Sequence, residues 1–249
     1  IPSEQMKEIR DKSNAFVMQW TGNVRADILP EVEAYRDVCD LTLLAAGIGQ
    51  KDMYEEVLKH PVRYLQHNLS EWQFIPAKQV ADGKILFIGN AYGQFEGAVE
   101  RNDLCELLTT HFPNFEVWGN GFAEKKYRNP NSVSFDKTQP MYNDAYIGIS
   151  ANCFNHIEGY YSDRPLHIMA AGGCCLMRYI PKLESFFTDM EHCVFYYSND
   201  EAVEKIKFLI ANPDVRNRIA AQGQEQVRKF HTNEYRIIEM IAYLKEFGV

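Results

Sequence analysis

Apolar runs of strand length alternate with segments of helical period along almost the whole chain, and this alternation restricts the fold to parallel α/β architecture. In the first third, 16–20 (FVMQW), 40–46 (DLTLLAA) and 62–67 (VRYLQH) are predicted strands, with helices predicted over 30–39 and 50–60. Strands separated by helices require crossover connections, which favour parallel pairing. Periodicity then lapses, and Pro76 and Asp82-Gly83 mark 76–83 as a linker. A second unit follows, with strands expected at 84–89, 115–119, 145–151, 174–179 and 193–197 and a helix at 98–112. A short strand is expected at 132–135, between Asn-Pro-Asn and Gln-Pro breakers. Helices at 200–211, 214–229 and 233–247 close the sequence, the last carrying a broad apolar face through Ile237, Ile241 and Leu244. The expected organisation is therefore a unit at 1–75, the linker, a unit at 84–231, and a final helix at 232–249 that packs back on the first unit.

With 249 residues, 46% of them hydrophobic, the chain can build such cores. A formal charge of −8 argues against a surface dominated by nucleic-acid contacts. No apolar run reaches bilayer length and no signal-peptide pattern opens the sequence. Six cysteines, none in CxxC spacing, fall mostly in apolar patterns and read as core residues rather than metal ligands. A cytoplasmic location follows, with peripheral attachment to a membrane left open.

The densest stretch is 160–176 (YYSDRPLHIMAAGGCCL). It reads as a turn, a helix and a return to the sheet, placing Ser162, Asp163 and Arg164 at a helix N-terminus. Unpaired N–H groups there, with the planar fork of Arg164, suit a diphosphate. Ligands of open α/β sheets gather at the carboxyl ends of strands. The loops there carry Thr21, Asn23 and Arg25 after the first strand, His67 after the third, and Gly89, Asn90 and Tyr92 after the fourth. The loop after 145–151 adds Asn152, Asn155, His156 and Glu158, side chains able to orient hydroxyl groups. Most of these also have plain readings as turn, strand-end or loop residues. Arg101, on the helix after 84–89, either reaches a phosphate or pairs with Asp103 or Glu106.

The run S-D-R-P-L-H-I-M-A-A-G-G at 162–173 resembles the donor-site segment of GT-B glycosyltransferases, particularly a CgeB-like pattern close to S-x-R-x-F-E-x-x-A-x-G-G. KLESFF at 182–187, FYYSND at 195–200, NPDVRNRIAAQG at 212–223 and HTNEYR at 231–236 are similar to that group's tail, and ILFIGNAYGQFEGAVER at 85–101 is similar to its opening. The resemblance covers about 84–236. It implies a GT-B-like fold of two Rossmann-like parallel-sheet units facing a cleft, the first short or truncated. It also implies transfer of a sugar from a UDP- or GDP-sugar to an unidentified acceptor. Donor contacts are implied at Gly89, Asn90, Tyr92, Arg101, Ser162, Asp163, Arg164 and His167, and sugar or acceptor contacts at Thr21, Asn23, Arg25, His67, Asn152, Asn155, His156 and Glu158. His167 stands where the group has a Glu that holds the nucleotide ribose; a neutral imidazole offers that hydroxyl one hydrogen bond but no negative charge. Glu158 lies one residue too far from His167 for a Glu-x7-Glu element. No Asp-x-Asp is present to bind Mg²⁺, so neither metal nor cofactor is expected. Other readings are an epimerase or hydrolase on the same scaffold, a noncatalytic nucleotide-sugar-binding subunit, and, as a minor case, a glycosyltransferase acting on modified DNA bases. A short first sheet leaves an edge for a second copy to cover.

Overall fold

The computed structural model describes residues 1–23, 25–45, 47–78, 83–91, 93–122, 128–129 and 132–249. Strands β1 (Met18–Thr21), β2 (Leu41–Leu44) and β3 (Val62–Tyr64) form a parallel sheet in that order. All four β2 residues are buried, as the middle strand of a sheet covered on both faces requires. Helix α1 (Ser3–Ser13) buries nothing and is tied down by an Arg10–Asp40 ion pair. The helix expected over 30–39 is cut short. Only α2 (Pro30–Glu33) is α-helical, and the following amides bond three residues back, Tyr35 to Val32 and Val38 to Tyr35. Val32 is the one buried residue of α2, and Val38 and Cys39, the other buried apolar residues of the span, lie beyond its end. α3 (Lys51–Leu58) packs Tyr54 and Leu58 against Leu44 and Val62.

The second sheet contains β4 (Lys84–Ile88), β5 (Phe115–Trp118), β6 (Arg128–Asn129), β7 (Ala145–Ser150), β8 (Cys174–Arg178) and β9 (Val194–Tyr196). Among the described residues its order is β6-β5-β4-β7-β8-β9, with every pair parallel. After β4 the chain builds outward to one side, then crosses back to add β7, β8 and β9 on the other. The carboxyl ends of β4 and β7 are thus the switch point where such sheets open a crevice. α4 (Ala98–His111) lays Leu104, Cys105 and Leu108 on one face, over Ile85, Phe87 and Val117. α6 (Arg164–Ala170) lays Leu166, Ile168 and Met169 on the other, over Leu86, Cys175 and Met177. α7 (Asn199–Ala211) and α8 (Pro213–Phe230) complete the cover. All six cysteines are free and buried.

The strand expected at 132–135 is absent. Arg128–Asn129 takes the place beside β5, and α5 (Phe135–Asn143) starts instead, running through Pro140. An interior proline costs a helix about 3 kcal/mol. Burial on the far side offsets it: Tyr142 is 1% exposed, Gln139 donates to Gln73 O at 2.9 Å, and Asn143 donates to Ala171 O at 2.7 Å and Pro76 O at 3.0 Å.

The two units meet along 66–75 and 231–236. Leu69 and Thr232 form a parallel bridge, Leu69 donating to His231 O at 2.8 Å. α9 (Asn233–Glu246) lies on the first sheet, with Met240 and Tyr243 against Leu41, Leu43 and Leu65 and with Tyr243 Oη donating to Tyr64 O.

Candidate active site

Arg164 opens α6 and spans the crevice between β4 and β7. Its Nε donates to Ile88 O at 2.7 Å, and Nη1 to Ala151 O at 3.1 Å and to Ser162 Oγ at 3.3 Å. One guanidinium thus joins the carboxyl ends of both central strands, with the Ser162 hydroxyl steadying it. Nη2 makes no hydrogen bond among the described residues. A Cβ on Gly89 would come within 2.7 Å of that nitrogen, so the glycine is needed to let the guanidinium lie there.

Arg101 approaches the same point from α4 and is 4% exposed. It donates to Asn90 O through Nη2, while its Nε is buried without a partner. Both cations lie near Phe87, with the Arg101 and Arg164 guanidinium carbons 5.7 and 5.1 Å from its ring centroid. Burial lowers the Arg101 pKa, and the charge of Arg164 lowers it further. Among the described residues no carboxylate pairs with either arginine, so the alternatives of Asp103 and Glu106 for Arg101 are not realised.

The 89–91 loop holds Arg101 through the Asn90 carbonyl, and two of its amides, those of Gly89 and Ala91, are bonded within the sheet end. Gly89 N–H donates to Trp118 O at 2.9 Å and Ala91 N–H to Asn120 O at 2.8 Å, while Asn90 Oδ1 accepts from Asn120 N–H. Gly119, at φ +144°, makes this possible, since a Cβ there would fall on Gly89 O. Tyr92 lies outside the described residues.

Asp163, His167 and His67 form a second cluster beside Arg164. His167 is 7% exposed; Nδ1 meets Gln73 Nε2 at 3.2 Å and Nε2 stands 3.5 Å from Asp163 Oδ2. The imidazole is therefore enclosed, and the group facing the cleft is Asp163, whose side chain is 57% exposed. Desolvation works against the ionised Asp163, but the hydrogen bond and charge of His167, with His67 and Arg164 behind them, outweigh it and hold the carboxyl well below the usual range. His67 reaches this cluster from the first unit, its ring edge-on to Trp20 at 5.4 Å, and burial lowers its pKa.

The protein-family description "Glycosyl transferase-like" matches residues 98–242, more than half of the chain and including Arg101, Arg164 and the Asp163 cluster. The chain belongs to this glycosyl transferase-like family. No curated protein matches it. Its fold resembles sucrose-phosphate synthase of Thermosynechococcus elongatus (TM-score 0.68, 12% identity, 97% of this chain and 70% of that one). It also resembles a glycosyltransferase of Rickettsia africae ESF-5 (0.66, 12%, 98% and 80%) and Anabaena Alr3699/HepE in complex with UDP-glucose (0.71, 8%, 98% and 77%). The expected GT-B architecture is thereby borne out, and the protein is a transferase.

In this glycosyltransferase the remaining candidates divide. Asn152 is 3% exposed, with both amide atoms buried and unpartnered. Thr21 is buried and its carbonyl accepts from Ala45 N–H, while Asn23 is exposed. Arg25 stacks over Phe95 at 4.9 Å, and His156 pairs with Glu96 at 2.8 Å. Glu158 pairs with Lys182, and its carbonyl accepts from Gly49 N–H across the units. Asn155 is held by Glu100, which also binds Arg178 at 2.6 Å and through its carbonyl Asn199 at 3.1 Å. Glu100, Arg178 and Gln73 escaped sequence reasoning because each acts on partners dozens of residues away. Among the described residues no helix is long and apolar enough to cross a membrane, and no cluster of His, Cys, Asp or Glu is placed to hold a metal ion.

Proposed function

We propose that this glycosyltransferase transfers the sugar of a nucleoside-diphosphate sugar, with the diphosphate seated on Arg101 and Arg164 at the ends of β4 and β7. The observation that carries this reading is the pair of guanidinium groups near Phe87, one of them buried with an unpartnered Nε and neither paired to a carboxylate among the described residues. Like charges held together at low solvent exposure repel, and a dianionic ligand offsets that cost. As the bond between sugar and diphosphate breaks, negative charge grows on the leaving group. Preorganised cations then stabilise the transition state more than the ground state. α6 is only two turns long and begins beside the Asp163 carboxylate, so its dipole adds little beyond the guanidinium charge.

Asp163, ionised and facing the cleft, accepts hydrogen bonds from hydroxyls of the nucleotide ribose, and His167 positions it from behind. Asn152, between the phosphate site and the loop at 154–158, is the first contact for the transferred sugar. That Alr3699/HepE of the same fold is seen with UDP-glucose supports UDP as the carrier. Calorimetry with UDP, GDP and ADP tests the reading. UDP is expected to bind most tightly, with Arg164→Lys weakening it about tenfold or more; no binding by any nucleoside diphosphate would overturn the assignment.

A further inference from the structure

Glu100 stands in the first turn of α4, next to Arg101, and reaches the ends of three other elements. Its Oε2 accepts from Asn155 Nδ2 at 2.8 Å in the loop after β7, and its Oε1 accepts from Arg178 Nε at 2.6 Å at the end of β8. Its backbone carbonyl accepts from Asn199 Nδ2 at 3.1 Å at the start of α7. The residue before α4 is joined to the β7 loop as well, Gly97 N–H donating to Cys153 O at 2.8 Å. The turn that carries the proposed phosphate-binding Arg101 is thus fastened to the loop that carries the proposed sugar contact Asn152.

A carboxylate and a carbonyl only accept, so each asparagine turns its NH2 toward Glu100 and the direction of both amides follows. Oδ1 of each points elsewhere, and both oxygens are buried without a partner among the described residues. A buried acceptor without a donor is costly, and a hydroxyl brought by a ligand removes that cost. Asn155 lies three residues after Asn152 in the same loop, whereas Asn199 follows β9 at the far edge of the sheet. The charge of Glu100 opposes an anionic donor, but the pair with Arg178, whose side chain is mostly buried, offsets it. Glu100 therefore brings direction for an amide rather than net charge.

We infer that Glu100 is a positioning residue that fixes the Asn155 amide with Oδ1 as the acceptor for a hydroxyl of the transferred sugar. This rests on the nucleotide-sugar reading above.

The test exchanges donor and acceptor across the Glu100–Asn155 contact, with calorimetry on the full chain using UDP and UDP-glucose as probes. In Glu100→Gln, Arg178 keeps the oxygen and the new NH2 faces Asn155, which reverses its amide and offers the sugar a donor in place of an acceptor. In Asn155→Asp, two carboxylates oppose each other and the loop side chain swings away. Each substitution should weaken UDP-glucose at least tenfold and UDP by no more than threefold. In the double variant the new amide donates to the new carboxylate, whose second oxygen resumes the acceptor role, and UDP-glucose affinity should return to within threefold of wild type. Asn155→Ala gives a further reading, with the same tenfold loss confined to UDP-glucose. A contact that only braces the fold would change UDP and UDP-glucose together. That result, or a double variant that binds UDP-glucose no more tightly than the weaker single one, would overturn the inference. Absence of UDP binding by the wild-type chain would overturn the nucleotide reading itself, and the inference with it.

Discussion

Arg101 and Arg164 hold the same proposed ligand but should differ sharply in what they contribute to the fold. Replacing Arg164 by Met removes its bonds to Ile88 O and Ala151 O, which join the ends of β4 and β7. At about 1.5 kcal/mol for each charge-assisted bond the loss is about 3 kcal/mol, and at about 2–4 °C per kcal/mol for a chain of this size the melting temperature should fall by roughly 6–12 °C. Arg101→Met also removes a bond, to Asn90 O. It simultaneously removes a buried Nε without a partner and the repulsion from Arg164, and Met fills much of the same space. An unsatisfied buried donor costs about 1–3 kcal/mol, so the gain and loss nearly cancel and melting should shift by no more than a few degrees. Both variants should weaken UDP by roughly 10- to 150-fold, since each loses a charged phosphate contact worth about 1.5–3 kcal/mol. Differential scanning calorimetry and isothermal titration separate the two effects. Equal destabilisation by the two substitutions, or unchanged UDP affinity in either, would refute the reasoning.

Gly119→Ala puts a methyl group onto Gly89 O at a left-handed backbone angle; it should destabilise by about 1–3 kcal/mol and weaken UDP by displacing the loop that holds Arg101, as melting and titration will register. Gly47→Ala brings a Cβ within 2.5 Å of Glu158 O across the units, and overpacking of about 1–3 kcal/mol should lower the melting temperature while Ala at the open Gly93 should not. His231 is held neutral by burial, then by the charge of Arg236, with its pKa lowered from 6.5 to about 3. The unfolded chain therefore binds the extra proton between those values, and stability, complete above pH 6.5, should fall by up to about 1.4 kcal/mol per pH unit as pH drops toward 3. Denaturant titrations should show that slope flattened in His231→Gln, where an amide oxygen still accepts from Arg236; an unchanged slope would mean another group carries it.

The strands and the long terminal helices were legible because their apolar period reports burial directly: β4, β7 and β8 fall within a residue or so of expectation, as do α7, α8 and α9. Where local signals misled, distant packing decided. Pro140 reads as a breaker until Tyr142 and Asn143 are seen buried against α6 and the segment at 76. The span 30–39 has helical composition, yet past Glu33 its amides mostly bond three residues back. At the site, the family motif singled out Arg164 and His167, yet the partners that hold them are ones no spacing reveals. Ile88 lies 76 residues from Arg164 and Gln73 lies 94 from His167. Gly89 reads from the sequence as a donor-phosphate loop, and the structure adds that a Cβ there would meet the Arg164 side chain, which no spacing reveals.

The most direct measurement of the central claim is a crystal structure of the chain soaked with UDP. The account predicts diphosphate oxygens within hydrogen-bonding distance of Arg164 Nη2 and of the Arg101 guanidinium, with ribose hydroxyls on Asp163. A diphosphate bound away from both arginines, with the two guanidinium groups left as they stand without ligand, would contradict it.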